Sequence, residues 1–223
     1  MKKILIFGSG DHSKVILSEV IQIEEYEAIG FIDENIAPGT IIETINDKKY
    51  KILGNTKSIK DIIDSDTYGI IGIGLNYLRK KVFHDISALC TNIRWANIIS
   101  KNSIINGNVE IGEGTIILSG SIINTGTSIG NHCIINTKSS IDHDNILKNY
   151  SSTGPGTITG GNVTIGECSH LGIGCTINQN ITIGSNTIIG AQSLCVKNCD
   201  NNSVYYGTPA KRIRDRESDE NYF

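Results

Sequence analysis

The segment 140-SIDHDNI-146 sets three titratable side chains in a row, Asp142, His143 and Asp144. Imidazole gives and takes a proton near neutral pH, and a neighbouring carboxylate can orient its ring or raise its basicity. Such a group supports general acid–base chemistry at an amine or hydroxyl nucleophile. A histidine on a regular surface is equally well a solvated side chain. Successive residues of a strand face opposite ways, so Asp144 reaches His143 only where the chain turns a corner. A second candidate is 8-GSGDHSKV-15, where glycines follow an apolar run and precede a helical pattern. Backbone N–H groups at such a helix start receive phosphate. As a dinucleotide fingerprint the run reads G-x-G-x-x-S, with Ser13 where Gly or Ala is expected. Asp33 falls 25 residues beyond Gly8, suited to a ribose contact.

The elements that must position these residues fall into two halves. In residues 1–98, KKILIFG reads as a strand, and 12-HSKVILSEVIQI-23 as a helix with Val15, Ile16, Val20 and Ile23 on one face. A second strand, 27-EAIGFID-33, ends at Asp33, and after the turn at Pro38-Gly39 comes a third short apolar segment, 51-KILG-54. The run 58-SIKDIID-64 predicts a helix capped by Ser58, with Asp61 at its third position. Then follow a buried strand, 67-TYGIIGIG-74, a helix, 76-NYLRKKVFHDISAL-89, and a closing strand, 93-IRWANII-99. Strands alternating with helices imply a parallel sheet with crossover helices, a Rossmann-like α/β domain.

From Ile99 the period changes. Residues 99–200 divide into 17 hexads without insertion; the first position is Ile or Leu in 14 of them, the second is Gly in eight, and the fifth is nearly always Ser, Thr, Val or Cys. A helical face repeats every 3.6 residues, so the run is not helical. It fits short strands joined by tight corners, position one pointing inward and Gly or Asn supplying positive φ at the bends. Three sides make one triangular coil, so residues eighteen apart stack and the run makes a little under six coils. The pattern leaves handedness open, and the general rule for parallel crossovers favours the right hand. On this register Gly161 lies one coil beyond His143, on the same side. A residue without a side chain there lets a reactant approach the backbone beside the imidazole.

Other features exclude more than they assign. The net charge is −3 with no long basic run, which argues against a nucleic-acid partner. The opening apolar run stops at Gly8, too short for a signal peptide, and nothing approaches the ~20 apolar residues of a membrane span. A cytoplasmic protein without membrane insertion is expected. Of the six cysteines none forms a CxxC pair; Cys133, Cys175 and Cys199 fall at position five and Cys195 at position one, as interior fillers. His132, His143 and His170 are spaced 11 and 27 residues apart, off the eighteen-residue register, so they do not line up as zinc ligands and no metal is expected.

The hexad run and its exit 207-GTPAKRI-213 resemble the left-handed parallel β-helix acyltransferases. With the N-terminal half, residues 1 to about 213 resemble the sialic-acid O-acetyltransferase group, which includes bacterial N-acetyltransferases of UDP-4-amino-sugars such as the bacillosamine-pathway enzyme. The resemblance implies a Rossmann-like domain over 1–98, a left-handed β-helix over 99–213 and a charged, frayed tail over 214–223. It also implies a homotrimer that binds acetyl-CoA in the groove between neighbouring β-helices and a nucleotide-sugar in the N-terminal domain. His143 in 140-SIDHD-144 matches the family's general base, and Asp144 the residue that orients its ring. Gly161, in 160-GGNVTIG-166, matches the glycine whose amide meets acetyl-CoA; Gly190 and Ala191 are further cofactor contacts. Relatives carry a second, acetyl-CoA-contacting histidine nine residues after the first, where this chain has Ser152. His170, one coil further along that edge, is expected to replace it in part.

The N-terminal loop resembles the group's G-x-x-G-H-x-K-V, with Gly10, His12 and Lys14 as substrate-binding residues but Asp11 in place of a glycine. Asp33 matches the acidic residue that meets the nucleoside, and 72-GIGLNYLRK-80 matches IGxNxxR, placing Asn76 near the ligand and Arg79 in a packing role. The activity implied is acetyl-CoA-dependent N-acetylation of a nucleotide-linked 4-amino-sugar, with UDP the expected nucleotide. The alternative uses the same site to acetylate a hydroxyl of a sialic or other nonulosonic acid.

Overall fold

The structure is a computed structural model that describes residues 1–222, and the chain divides into two compact units. The first holds Met1–Gly74 and Leu78–Ile98; the second holds the remainder, including Leu75–Tyr77.

In the first unit, β1 (Lys2–Phe7), β2 (Tyr26–Ile32), β3 (Ile41–Ile45), β4 (Lys48–Gly54), β5 (Thr67–Ile71) and β6 (Arg94–Trp95) form one sheet in the order β3-β4-β2-β1-β5-β6. β1 is its centre, parallel to both neighbours. Its Ile4–Phe7 run is buried, as expected for a strand covered on both faces. The helices α1 (Asp11–Val20), α2 (Ile59–Ile62) and α3 (Asn76–Leu89) occupy the three helical segments read from the sequence. β3 is an addition: with β4 it forms an antiparallel hairpin at the sheet edge, turned by Asn46 and Asp47 at positive φ. The cap before α2 also differs from expectation. Ser58 Oγ donates back to Asn55 O at 2.8 Å, and it is Asn55 Oδ1 that accepts the Lys57 N–H. Asn55 therefore starts a short 3₁₀ turn, Thr56–Ser58, that leads into α2.

The second unit is a three-sided solenoid of two-residue strands. β7 (Ile98–Ile99), β10 (Ile116–Ile117), β13 (Ile134–Ile135), β16 (Ser152–Thr153), β19 (His170–Leu171) and β22 (Ile188–Ile189) make one side. A second side runs from β8 (Ile104–Ile105) through β11 (Ile122–Ile123), β14 (Ser140–Ile141), β17 (Ile158–Thr159) and β20 (Thr176–Ile177) to β23 (Leu194–Cys195). The third comprises β9 (Glu110–Ile111), β12 (Ser128–Ile129), β15 (Ile146–Leu147), β18 (Thr164–Ile165) and β21 (Thr182–Ile183). Pairing is parallel with an eighteen-residue register, Ile123 against Ile141 and Leu147 against Ile165. The second residue of each strand is position one of its hexad, and these residues build the core from Ile117 to Cys195. Cys133, Cys175, Cys195 and Cys199 are buried free thiols in that column or beside it, and burial pushes the Cys175 thiol up to about 12.

The corners differ in one respect from the sequence reading. Positive φ falls at position four, filled by Gly126 or Gly156 in some coils and by His132, Asp144, Tyr150 or Asn162 in others. The recurrent glycines at position two answer a different need: a Cβ on Gly154 would lie 2.7 Å from Ile173 N of the next coil. Beyond β23 the repeat shortens, since Ile183 bridges to Cys199 and Ile188 pairs with Val204. A hairpin of β24 (Ser203–Gly207) and β25 (Ala210–Asp215) then closes the solenoid. The tail is docked rather than frayed. Arg216 is buried, with Nη2 on Glu220 O at 2.9 Å and Nη1 on Asn186, and the Tyr222 ring stacks on His170 at 4.7 Å.

Candidate active site

His143 occupies the corner between β14 and β15, flanked by Asp142 and Asp144. Asp144 adopts φ 57°, the left-handed turn that lets neighbouring side chains meet on one side. Its Oδ2 lies 2.7 Å from His143 Nδ1. A carboxylate only accepts, so Nδ1 carries the hydrogen and Nε2 is left with its lone pair. The hydrogen bond to Asp144 is the main cause holding the His143 pKa above its ordinary 6.5; desolvation opposes it, and the Asp142 and Asp144 charges add to it. Asp142 faces another way: its Oδ1 accepts the His143 N–H at 2.8 Å and Asn124 Nδ2 at 3.0 Å, which hold its own pKa below the usual carboxylate range.

The ring of His143 lies against Gly161. A Cβ built on Gly161 would meet both Nε2 and Cε1 at 2.5 Å, so only glycine leaves the imidazole its place. Gly161 is not in the left-handed region, and its glycine answers to space, not to φ. Among the described residues its N–H has no partner within the chain, whereas the His143 and Asn131 N–H groups at the same hexad position donate to Asp142 and Asn149 side chains. The corner thus presents a ring nitrogen lone pair and an open peptide N–H side by side. An open groove of about 520 Å³ runs beside it, lined by Asp142, Gly160, Asn178 and Gln179 among others.

The other expected cofactor contacts are not at this corner. Ser152 is buried on β16, and its hydroxyl lies 2.8 Å from His170 Nδ1; the β16–β19 pairing sets them one coil apart, as the register predicts. The Tyr222 ring stacks on the half-buried His170. Gly190 donates its N–H to Tyr205 O and lies under the Tyr206 ring, while Ala191 beside it is exposed. His132 is buried and stacks on Tyr150, a packing role.

In the first unit, Gly10 and Asp33 meet at a cavity of about 300 Å³ with Ser9, Glu34 and Asn35. Asp33 is fixed there by Ser9 Oγ at 2.6 Å and the Asn35 N–H at 2.9 Å. Asp11 is fully exposed and pairs with Lys14 at 3.2 Å, so the carboxylate points into solvent and draws Lys14 with it. Neither lines the cavity, nor does His12. Burial, with Arg79 second, pushes the His12 imidazole down to about 4, and its buried Nε2 has no hydrogen-bond partner among the described residues. Asn76 belongs to the second unit, where it is fully buried with Nδ2 on Ser169 O at 3.0 Å. Arg79 is structural as expected, its Nη1 on Ile73 O and Gly74 O. Sequence reasoning missed Ser9 and Asn145; the latter is a buried amide where the repeat elsewhere uses Ser, Thr, Val, Cys or Ile.

Replacing Asp144 with Asn tests the corner's electrostatics. Protonation below its pKa disables a base, so the acid limb of kcat/KM is expected above pH 6.5, the ordinary histidine value. Asp144→Asn removes the largest raising cause, and the limb should move down toward 6.5. A pH–rate profile of the two proteins checks this; a limb that stays in place means that Asp144 does not act on the ring.

The chain has relatives of known fold. Residues 3–86 match the PglD N-terminal domain family. A GDP-perosamine N-acetyltransferase variant from Caulobacter crescentus, solved with CoA and GDP-perosamine, is 25% identical over 96% of this chain and 97% of its own, with a TM-score of 0.86. PerB from the same organism, with the same two ligands, is 26% identical over 95% and 97% at the same score. The acetyltransferase domain of PglB from Neisseria gonorrhoeae is 24% identical over 96% and 100%, again at 0.86. A curated relative, galactoside O-acetyltransferase of Escherichia coli, is 37% identical over 62 residues, which span 27% of this chain and 30% of that enzyme. The likeness to these structures makes the solenoid left-handed, against the general crossover rule. The chain is similar along nearly its whole length to left-handed β-helix, hexapeptide-repeat acetyltransferases, and its residues 3–86 match the PglD-type N-terminal domain.

Proposed function

We propose that this acetyltransferase moves the acetyl group of acetyl-CoA to the amino group of a nucleotide-linked 4-amino-sugar, with His143 as general base. The carrying observation is the pairing of His143 Nε2 with the bare Gly161 backbone, which gives a base and an N–H donor within one corner. Acetyl-CoA supplies an acetyl carbon made electrophilic by its thioester. His143 Nε2 takes the proton that the amine loses as it attacks, and Nδ1–H on Asp144 balances the charge that the ring acquires. The Gly161 N–H is the donor for the oxygen that becomes negative; as the C–S bond then breaks, protonated His143 returns the proton to the CoA sulfur, which leaves as the thiol, and the base is restored. The missing Cβ and the free N–H are what a thioester needs at that position. The cavity at Asp33 is the nucleoside site in this reading, and the Gly10 turn receives phosphate.

A trimer follows from the same reading. Ile104, Ile122 and Ile158 project outward as an exposed apolar stripe on the side of the solenoid that ends at the His143 corner. A second copy on that stripe would wall the groove, and sedimentation equilibrium should return three chains.

The test is an acetyl-transfer assay against UDP-, dTDP- and GDP-linked 4-amino-sugars and free nonulosonic acids. Turnover is expected with one of the amino-sugars. Turnover confined to the nonulosonic acids would replace the amine reading with the hydroxyl one, and none with any of them would overturn both. The panel spans nucleotides because UDP is expected from the sequence while two relatives were solved with GDP-perosamine.

A further inference from the structure

The interior column at hexad position five repeats one device. Thr115 Oγ1 donates to Gly130 O at 2.8 Å and accepts the Cys133 N–H at 3.1 Å. Ser169 Oγ donates to Gly184 O at 2.6 Å and accepts the Thr187 N–H at 2.8 Å. At these corners one hydroxyl ties the turn to the next coil. Asn145 takes this place behind His143 and does more. It is fully buried, and its Oδ1 accepts the Val163 N–H at 3.1 Å while Nδ2 reaches Gly160 O at 3.0 Å. Those two bonds reproduce the common device. Nδ2 also lies 2.6 Å from Asp142 O and 3.3 Å from His143 O. A hydroxyl such as Thr157 Oγ1, near both Gly154 O and Gly172 O, has one hydrogen and serves one acceptor at a time, whereas Nδ2 has two.

The bonds join the two halves of the candidate site. One end grips the carbonyls of Asp142 and His143, the turn that aims the imidazole. The other grips Gly160 and Val163, on either side of the Gly161–Asn162 peptide that faces the ring. Two hydrogens on Nδ2 shared among three acceptors make the amide the hub of the corner. We propose that Asn145 is a positioning residue for acetyl transfer, its carboxamide fixing His143 Nε2 against the Gly161 backbone and holding the turn in which Asp144 meets Nδ1. The proposal rests on His143 being the base. A misplacement of about 1 Å in such a pair costs about a hundredfold in rate, so part of that loss is at stake.

The same column supplies the replacements. Thr127 stands eighteen residues before Asn145 and bonds Asp142 O at 2.8 Å, and Val163 stands eighteen after it. Asn145→Thr keeps a single donor hydrogen and Asn145→Val keeps the packing, and neither can donate to both coils at once. Both are made in the full chain and assayed with acetyl-CoA and the panel acceptor of highest turnover. His143 is titrated through its ring Cε1–H resonance without ligand. Expected are a kcat lower by about tenfold to thirtyfold, both KM values within about twofold, and a His143 midpoint moved down toward its ordinary value as Asp144 loses alignment. A folded Asn145→Thr protein with unchanged kcat, or with an unmoved His143 midpoint, overturns the proposal. Failure of both variants to fold makes the amide a determinant of the fold and overturns it as well. If His143→Ala retains turnover, the base assignment fails first; if His143→Ala is inactive and Asn145→Thr is not impaired, only the role of Asn145 fails.

Discussion

His143→Ala is expected to lower kcat by about 10²–10⁴-fold, a loss of about 3–5 kcal/mol of transition-state stabilisation, while the protein stays folded. The size follows from what the substitution deletes. Nε2 is the one lone pair placed at Gly161, and water admitted in its place has neither the basicity nor the fixed position of a ring anchored through Nδ1 at 2.7 Å from Asp144. The fold should not notice. The side chain is half exposed, and the backbone bonds of residue 143, its N–H to Asp142 Oδ1 and its carbonyl to the Asn162 N–H, survive in alanine. KM for acetyl-CoA should change little, because the ring is assigned to proton transfer and not to holding the cofactor. The measurement is steady-state kinetics with a thermal melt as control. A variant with more than about half of the parent kcat means that the proton leaves by another route, and the groove beside Gly160 must then be searched for a different base.

Most of the solenoid could be read from the sequence because its period forces it. An inward Ile or Leu every sixth residue over 17 hexads has no helical solution, and the eighteen-residue register gave the His143–Gly161 juxtaposition before any coordinate. What the period does not encode was harder. Handedness needs a relative, because both hands bury the same residues. Glycine at position two looks like a bend former, yet it serves the approach of one coil's backbone to the next, and the bend itself tolerates His132, Asp144 and Tyr150 at positive φ. The hairpin strand β3 was invisible because Ile41–Ile45 lies at a sheet edge with little burial. Tail docking depends on single side chains: Arg216 finds Asn186, and Tyr222 finds His170, contacts without any local pattern. Asn145 escaped because a small polar residue at position five looks like any other; only the two hydrogens of its amide, set between carbonyls of both coils, reveal a different task.

Gly161→Ala should cost nearly as much as losing a catalytic group, about a hundredfold in kcat, although it adds one methyl group. The added carbon would meet Nε2 and Cε1 at 2.5 Å and Cδ2 at 3.1 Å, well inside contact distance, so either the coils part or the imidazole moves. The coils are held by the cross-coil bonds of Asn162 N–H to His143 O and Asn180 N–H to Gly161 O, each 3.0 Å, and a half-exposed ring is the softer partner. The ring therefore swings outward, gives up its Asp144 bond and leaves Nε2 out of line with the Gly161 N–H, a displacement of the size that costs about 10²-fold. Stability should fall little, because Gly161 is not in the left-handed region and alanine adopts its backbone without strain. Gly156→Ala is the opposite case and the control. It has φ +67° and open space around its missing Cβ, so alanine there strains only the backbone, lowering stability by about 1–2 kcal/mol with kcat unchanged. Kinetics and melts of the two variants should therefore separate cleanly, activity lost without stability at Gly161 and stability lost without activity at Gly156. An active Gly161→Ala enzyme would mean that the ring need not sit over that peptide for transfer to occur.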